Sequence, residues 1–234
     1  MGPQTTKLGL KKSCNVTYLA FNTKKDCVRP DPSIKNLIFD LGGVILDLSV
    51  ESTLKSFADV SGIEPARIKQ LFVNSTGFDS YEKGELTDSE FRDFVRKLYK
   101  IDASDEVLDT CWNAMLVNIP LEKLQLLERL KETHNIFLLS NTSHIHVNYI
   151  NDFVIKRVTK KSLDDFFHRS FYSYRMKMRK PDAEIFQQVL DEANLIPHET
   201  LFLDDNKANV DGASRLGINT VHVVNPHMIF DYFS

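Results

Sequence analysis

A chain of 234 residues with 42% hydrophobic content can bury a sizeable core, as one large domain or as a domain carrying an insertion. Its formal net charge of −3 gives no electrostatic footprint for nucleic acid, and no apolar run approaches the ~18 residues that a membrane helix needs. The three cysteines, Cys14, Cys27 and Cys111, have no metal-type spacing, and the odd, unpatterned count fits a reducing, cytoplasmic setting.

Residues 1–33 scatter Lys7, Lys11, Lys12, Lys24, Lys25 and Arg29 through polar sequence closed by Pro30 and Pro32. They lack the apolar stretch of a secretory signal and read as a polar, mobile leader. The first predicted strand, Leu37 to Phe39, ends on Asp40, with Gly42 and Gly43 following at once. Glycines there let the backbone turn sharply and approach a ligand closely.

From Leu48 to about Ile119 the chain reads as helical. Leu54, Phe57 and Val60 make one stripe, and Ile68, Leu71 and Phe72 another. Thr87-Asp88-Ser89-Glu90 is a capping box that starts a helix carrying Phe91, Phe94, Val95 and Leu98. Val107, Leu108, Cys111 and Trp112 mark a further helix, and Tyr81 and Glu82 fall in a loop where they could touch a ligand. Trp112 and Phe91 are expected in apolar packing. Pro120 then opens the helix of Leu124, Leu127 and Leu130.

The second strand, Ile136 to Leu139, ends in Ser140-Asn141-Thr142. His144 and His146 follow on a predicted helix, where residues two apart do not face each other, so they are not expected to share a metal. A third strand, Ser170 to Tyr172, leads into the basic run Arg175 to Lys180. Of that run Lys180, just before Pro181, is the candidate for a site; Arg175, Lys177 and Arg179 read as surface charges. A helix with Ile185, Phe186, Val189 and Leu190 on one face precedes the fourth strand, Leu201 to Leu203, whose tip is Asp204-Asp205-Asn206. A last helix, stopped by Gly217, leads to a strand at Thr220 to Val224.

Strand-helix alternation implies an α/β fold, a parallel sheet with helices on both faces. The expected division is the leader (1–33), a core domain (34–48 and 120–234) and a helical cap domain (49–119), because a crossover needs only about a dozen residues. Ligands bind such sheets outside the carboxyl ends of the strands, where these polar tips lie. Asp40, Asp204 and Asp205 crowded together would repel. Mg²⁺, which takes oxygen ligands and a substrate phosphate, relieves that conflict. Ser140 and Asn141 can hold an anionic oxygen at a helix start, and the Lys180 ammonium can neutralise a phosphate. The set suits phosphoryl transfer, with a carboxylate as nucleophile.

Four blocks in order, Phe39-Asp40-Leu41-Gly42-Gly43-Val44, Leu139-Ser140-Asn141-Thr142, Arg179-Lys180-Pro181-Asp182 and Leu203-Asp204-Asp205-Asn206, resemble the four motifs of the haloacid dehalogenase-like (HAD) hydrolase superfamily. Within it, the D-x-G-x-V block, the Met-Arg-Lys-Pro run and Asp204-Asp205-Asn206-Lys207-Ala208-Asn209 look like sugar-phosphate phosphatases of the α-D-glucose-1-phosphate phosphatase type. The resemblance implies a Rossmannoid core with a helical C1 cap and Mg²⁺-dependent hydrolysis of a small phosphorylated metabolite. The metabolite is then the expected partner, with no nucleic acid and no membrane, for a monomer or weak homodimer. It makes Asp40 the nucleophile and a metal ligand, joined by Asp205, Asp204 and the backbone carbonyl of Gly42. Ser140, Asn141 and Lys180 would bind the phosphoryl group.

One position departs from the pattern. Most family phosphatases carry a second aspartate two residues after the nucleophile as general acid and base; here that residue is Gly42. Asp47 is the candidate substitute. Two alternatives stay open. One is a catalytically weak relative that binds a phosphorylated ligand or a partner. The other is a 2-haloacid dehalogenase, a branch that also lacks the second aspartate but needs no metal, and against which Asp204-Asp205 argues.

Overall fold

The computed structural model describes residues 31–234; the leader expected over residues 1–33 lies outside the described residues as far as residue 30. In chain order the elements begin with β1 (Asn36–Phe39), β2 (Asp47–Leu48), α1 (Val50–Ser61), α2 (Pro65–Val73), α3 (Gly77–Glu82), α4 (Asp88–Tyr99) and α5 (Asp105–Asn113). They continue with β3 (Leu116–Asn118), α6 (Leu121–Lys131), β4 (Asn135–Ser140), α7 (His144–Tyr149), β5 (Arg169–Tyr172) and α8 (Ser173–Met176). The rest are α9 (Ala183–Glu192), β6 (Thr200–Asp204), α10 (Lys207–Ser214), β7 (Asn219–His222) and α11 (Met228–Tyr232).

All five predicted strands enter one parallel sheet of order β5-β4-β1-β6-β7. The fold is therefore the expected α/β class. In-register pairing of Phe39 with Leu138 and Leu203 brings three strand ends level. The period of two then sorts the side chains. Leu37, Phe39, Leu138, Leu201 and Leu203 share one apolar cluster. Ile38, Phe137, Leu139, Phe171 and Phe202 share the other, beneath Ile185, Phe186, Val189 and Leu190 of α9.

Helices α1–α5 sit between β2 and β3, which pair antiparallel as a short ribbon. Sequence reading missed this ribbon because strands of two and three residues are too short to show a period. The capping box is formed: Thr87 accepts from Glu90 N–H, and Glu90 accepts from Thr87 N–H. Phe57, Phe78, Phe91 and Trp112 belong to the same cluster as Leu37 and Phe39, so the inserted helices extend one face of the core without a break. Val60 and Val107, expected on buried stripes, are 41% and 38% exposed. For Val60 the cause is geometric, since steps of three residues drift off one helix face.

Candidate active site

The site is built where β1, β4 and β6 end. Asp40 follows β1 directly, and its N–H donates to the Leu203 carbonyl at 2.8 Å, which locks the first tip to the fourth. Lys180 reaches the same point from the loop before α9. Its Nζ donates to Asp40 Oδ1 at 2.7 Å, Asp204 Oδ2 at 2.6 Å and the Leu139 carbonyl at 2.8 Å. The side chain is 1% exposed and its ammonium lies 5.3 Å from the Phe202 ring centre. Three acceptors around a buried ammonium satisfy its three donors.

Asp40, Asp204 and Asp205 offer carboxylate oxygens all within 4.8 Å of one another. Three carboxylates face one ammonium, an excess of two negative charges. Burial first, and then the neighbouring Asp204 and Asp205, push the Asp40 carboxyl up to about 7 against the pull of Lys180. Burial and Asp204 likewise raise Asp205. Burial works against the Lys180 charge, but Asp40 and Asp204 outweigh it and hold its pKa above the usual lysine value.

The two adjacent aspartates differ. Asp204 is fully buried, and its carboxylate accepts from Lys180, from Asn206 N–H at 2.7 Å and from Asn209 Nδ2 at 3.1 Å on each oxygen. That leaves it little capacity for anything else. Asp205 is exposed, and among the described residues no side chain donates to its carboxylate. Gly43 makes room for it: φ is +72°, and a Cβ there would lie 2.3 Å from Asp205 Oδ2. An all-oxygen donor set short of positive charge fits a hard divalent cation such as Mg²⁺.

The remaining expected residues divide. Ser140 ends β4, buried, on the wall of a cavity of about 510 Å³ that also touches Gly42 and Asn141. Asn141 has a second task that its sequence position did not show. Its Oδ1 accepts from Lys180 N–H and its Nδ2 donates to the Lys180 carbonyl, both at 2.9 Å, so its amide clamps the loop that carries the ammonium. Asp47, the candidate substitute acid/base, sits on β2 with Lys123 Nζ 3.2 Å from its Oδ1 and is not among the cavity's lining residues. On β2 Asp47 instead offsets the charge of Lys123, a lysine only 2% exposed, which argues against an acid/base role for it.

The other residues singled out in the sequence divide, with His146, Glu82 and Arg179 lining the cavity and His144 and Tyr81 outside its lining. His144 is exposed and bonds Asp88 at 2.7 Å. His146 is buried, stacked on Trp112 with ring centres 4.5 Å apart, and lines the cavity; burial pushes its pKa down to about 4. Tyr81 and Glu82 lie in α3 rather than in a loop. Tyr81 stacks on Phe91 at 3.9 Å, and Glu82 lines the cavity. Arg179 is no surface charge: it spans from the loop to α3, with Nη1 2.6 Å from Asp79 and Nη2 2.9 Å from Glu82. Ion pairing across about a hundred residues left no trace in the local sequence pattern.

Comparison with known proteins agrees with this geometry. The family model described as haloacid dehalogenase-like hydrolase matches residues 34–217. A D-ribitol-5-phosphate phosphatase of Bacteroides thetaiotaomicron is 30% identical over 195 residues, covering 80% of this chain and 90% of that protein. A crystal structure of a HAD family enzyme from the same organism, an aspartate-to-alanine mutant in complex with magnesium and inorganic phosphate, superimposes with a TM-score of 0.76 at 37% identity, covering 81% of this chain and 93% of that one. A (S)-2-haloacid dehalogenase of Burkholderia cepacia is 26% identical, covering 82% of this chain and 83% of its own. With four motif blocks converging on one acid-and-lysine cluster and the family model spanning most of the sequence, the chain belongs to the haloacid dehalogenase-like hydrolases.

Proposed function

We propose that this protein is a Mg²⁺-dependent phosphatase that hydrolyses a small sugar or polyol phosphate through an aspartyl-phosphate on Asp40. The observation that carries the reading is Lys180 Nζ, held between Asp40 and Asp204, while the neighbouring Gly42, Asn141 and Arg179 line a cavity together with Ser140. Two relatives support it, one named for a pentitol phosphate and one crystallised with magnesium and phosphate. The motif resemblance points to a glucose-1-phosphate type; the relatives support the broader sugar- and polyol-phosphate class, and we keep that class. A cytoplasmic setting is part of the proposal, resting on the odd, unpatterned cysteine count and on Cys111, which is buried and in no disulfide among the described residues; no described helix is long and apolar enough to cross a membrane.

Asp40, Asp205 and the Gly42 carbonyl, which no backbone N–H approaches among the described residues, would hold the metal, with Asp204 beside them. Mg²⁺ bound there supplies positive charge for the acids and the phosphoryl oxygens. Lys180 and the bound cation together favour the ionised form of Asp40, and the ammonium offsets charge on the transferring group. One Asp40 oxygen bonds to phosphorus as the ester P–O bond breaks. The leaving alkoxide takes its proton from water, because position 42 has no side chain to give one. Water then adds to phosphorus, the bond to Asp40 breaks, and inorganic phosphate leaves with the carboxylate restored. General acid–base help is typically worth ~10²–10⁴-fold, so turnover is expected to be slow on esters with poor leaving groups.

The test is phosphate release from a panel of sugar and polyol phosphates, with and without Mg²⁺. Metal-dependent release that Asp40→Asn abolishes is expected. No release from any ester, with that variant matching wild type, would sink the reading. The dehalogenase relative favours a second reading, against which the three clustered acids weigh; halide release from a 2-haloacid in EDTA would select it. The bare Gly42 favours a third, a weakly catalytic ligand binder, which calorimetry would select by finding tight metabolite binding without hydrolysis.

A further inference from the structure

Consecutive residues of the loop before α9 turn to different partners, and of the two Arg179 lines the cavity. Lys180 turns to the carboxylates, and Arg179 turns to Asp79 and Glu82 of α3. Gly42, Ser140, Asn141, Asp79, Glu82 and Arg179 all line the same space, so whatever is esterified to the phosphate extends towards the arginine.

Four buried side-chain polar atoms lack a partner among the described residues: Tyr99 Oη, Asn113 Oδ1, Ser170 Oγ and Arg179 Nε. Of these residues Arg179 is the one that lines the cavity. A buried N–H without an acceptor is costly, and two ion pairs through Nη1 and Nη2 hold this side chain in place without using Nε. Glu82 complements it. Its side chain is only 20% exposed, its Oε2 accepts from Arg179, and among the described residues no donor is found on Oε1. Burial, only partly opposed by Arg179, raises its pKa.

We infer that Arg179 and Glu82 read a vicinal diol of the substrate's alcohol: Arg179 Nε–H donates to one hydroxyl oxygen, and Glu82 Oε1 accepts from the neighbouring hydroxyl. The assignment rests on the phosphatase reading above. The chemistry disfavours two other occupants. A second phosphate would be attracted by Arg179 but repelled by Glu82 and Asp79. A hydrocarbon chain would leave both the donor and the acceptor unmet. A hydroxyl both gives and takes, and a pair of them matches a donor next to an acceptor. Apolar walls from Phe78 and Trp112 are left for the C–H edges of the same chain.

A purely mechanical role for Arg179, tying α3 to the loop, makes a different prediction. The experiment measures kcat and KM with Mg²⁺ on ribitol 5-phosphate and on pentyl phosphate, which share a primary ester but differ in hydroxyls. Wild type is expected to prefer the polyol ester about a hundredfold in kcat/KM, since a site built to bond hydroxyls rejects the analogue that lacks them. Glu82→Gln and Arg179→Lys are expected to cut that ratio about tenfold or more, mainly through KM on the polyol ester. Wild type within about threefold on both esters overturns the proposal, because unmet hydrogen bonds must show as discrimination. So do variants that slow both esters equally, which is the signature of the mechanical tie. Absence of phosphate release from either ester by wild type is the separate failure of the phosphatase reading, and the diol assignment falls with it. If Arg179→Lys does not fold, the isosteric Glu82→Gln decides alone.

Discussion

Leu48 stands where a side chain on Gly42 would go: a Cβ built at residue 42 lies 2.4 Å from Leu48 Cδ1. The missing acid/base is thus a matter of filled space as well as of a missing carboxylate. The obstacle is the far end of a flexible side chain that is itself 41% exposed, so it can swing aside. Gly42→Asp is expected to fold with a loss of about 1 kcal/mol for displacing Leu48. It is expected to gain about tenfold or more in kcat on alkyl phosphates. Combining it with Leu48→Ala should give the larger gain. Kinetics on an alkyl and an aryl phosphate check this, and no difference between single and double variants would show that Leu48 is no obstacle.

Asn141 clamps Lys180 through two backbone hydrogen bonds of 2.9 Å. Asn141→Ala removes the partners of both the Lys180 N–H and the Lys180 carbonyl and is expected to cost about 2–4 kcal/mol, two bonds of ~1 kcal/mol each plus the penalty for groups left unmet. Because the clamp positions the ammonium, kcat should fall by more than the melting shift alone explains. A denaturant melt and a kcat measured well below the melting temperature separate the two effects.

Metal binding should be visible without turnover. A cation that binds only the folded state at a hundred times its Kd stabilises it by about 2.7 kcal/mol. Mg²⁺ is therefore expected to raise the melting temperature of wild type. The shift should be much smaller in Asp205→Asn, because among the described residues no side chain donates to the Asp205 carboxylate. An equal shift in both proteins would place the ion elsewhere.

The metal-free protein should carry a pH signature of the crowded acids. Asp40 is raised from 3.8 to about 7 in the folded chain, chiefly by burial. The folded state therefore binds more protons than the unfolded state between those values, and the stability contributed by this group falls as pH rises through that window. Wild type without metal is expected to lose stability relative to Asp40→Asn from pH 4 to 7, on the order of 2–4 kcal/mol. Saturating Mg²⁺ should flatten the difference. Parallel pH profiles of the two proteins would contradict the assignment.

The strands were legible because each is an apolar run read against polar tips. Leu37–Phe39 and Leu201–Leu203 are fully buried in the sheet, and burial of this kind writes itself into composition. The helix that starts at Thr87 was legible because a capping box is local chemistry. Asp40, Lys180 and Asp205 stood out because each follows or precedes a strand or helix boundary in a recognisable motif. Val60 misled because steps of three residues drift off one helix face, and Asp47 because a nearby acid carries no information about what lies across the fold.

Alone, the sequence determined an α/β sheet and placed acids and a lysine at the carboxyl ends of its strands, because hydrophobic period and turn chemistry act over a few residues. Tertiary structure decided which groups meet. It put Leu48 against Gly42, Asn141 on the Lys180 backbone, and Arg179 between Asp79 and Glu82. Those contacts depend on the register of distant strands and the packing of α3 against the loop before α9, and long-range packing of that kind has no local periodicity to betray it.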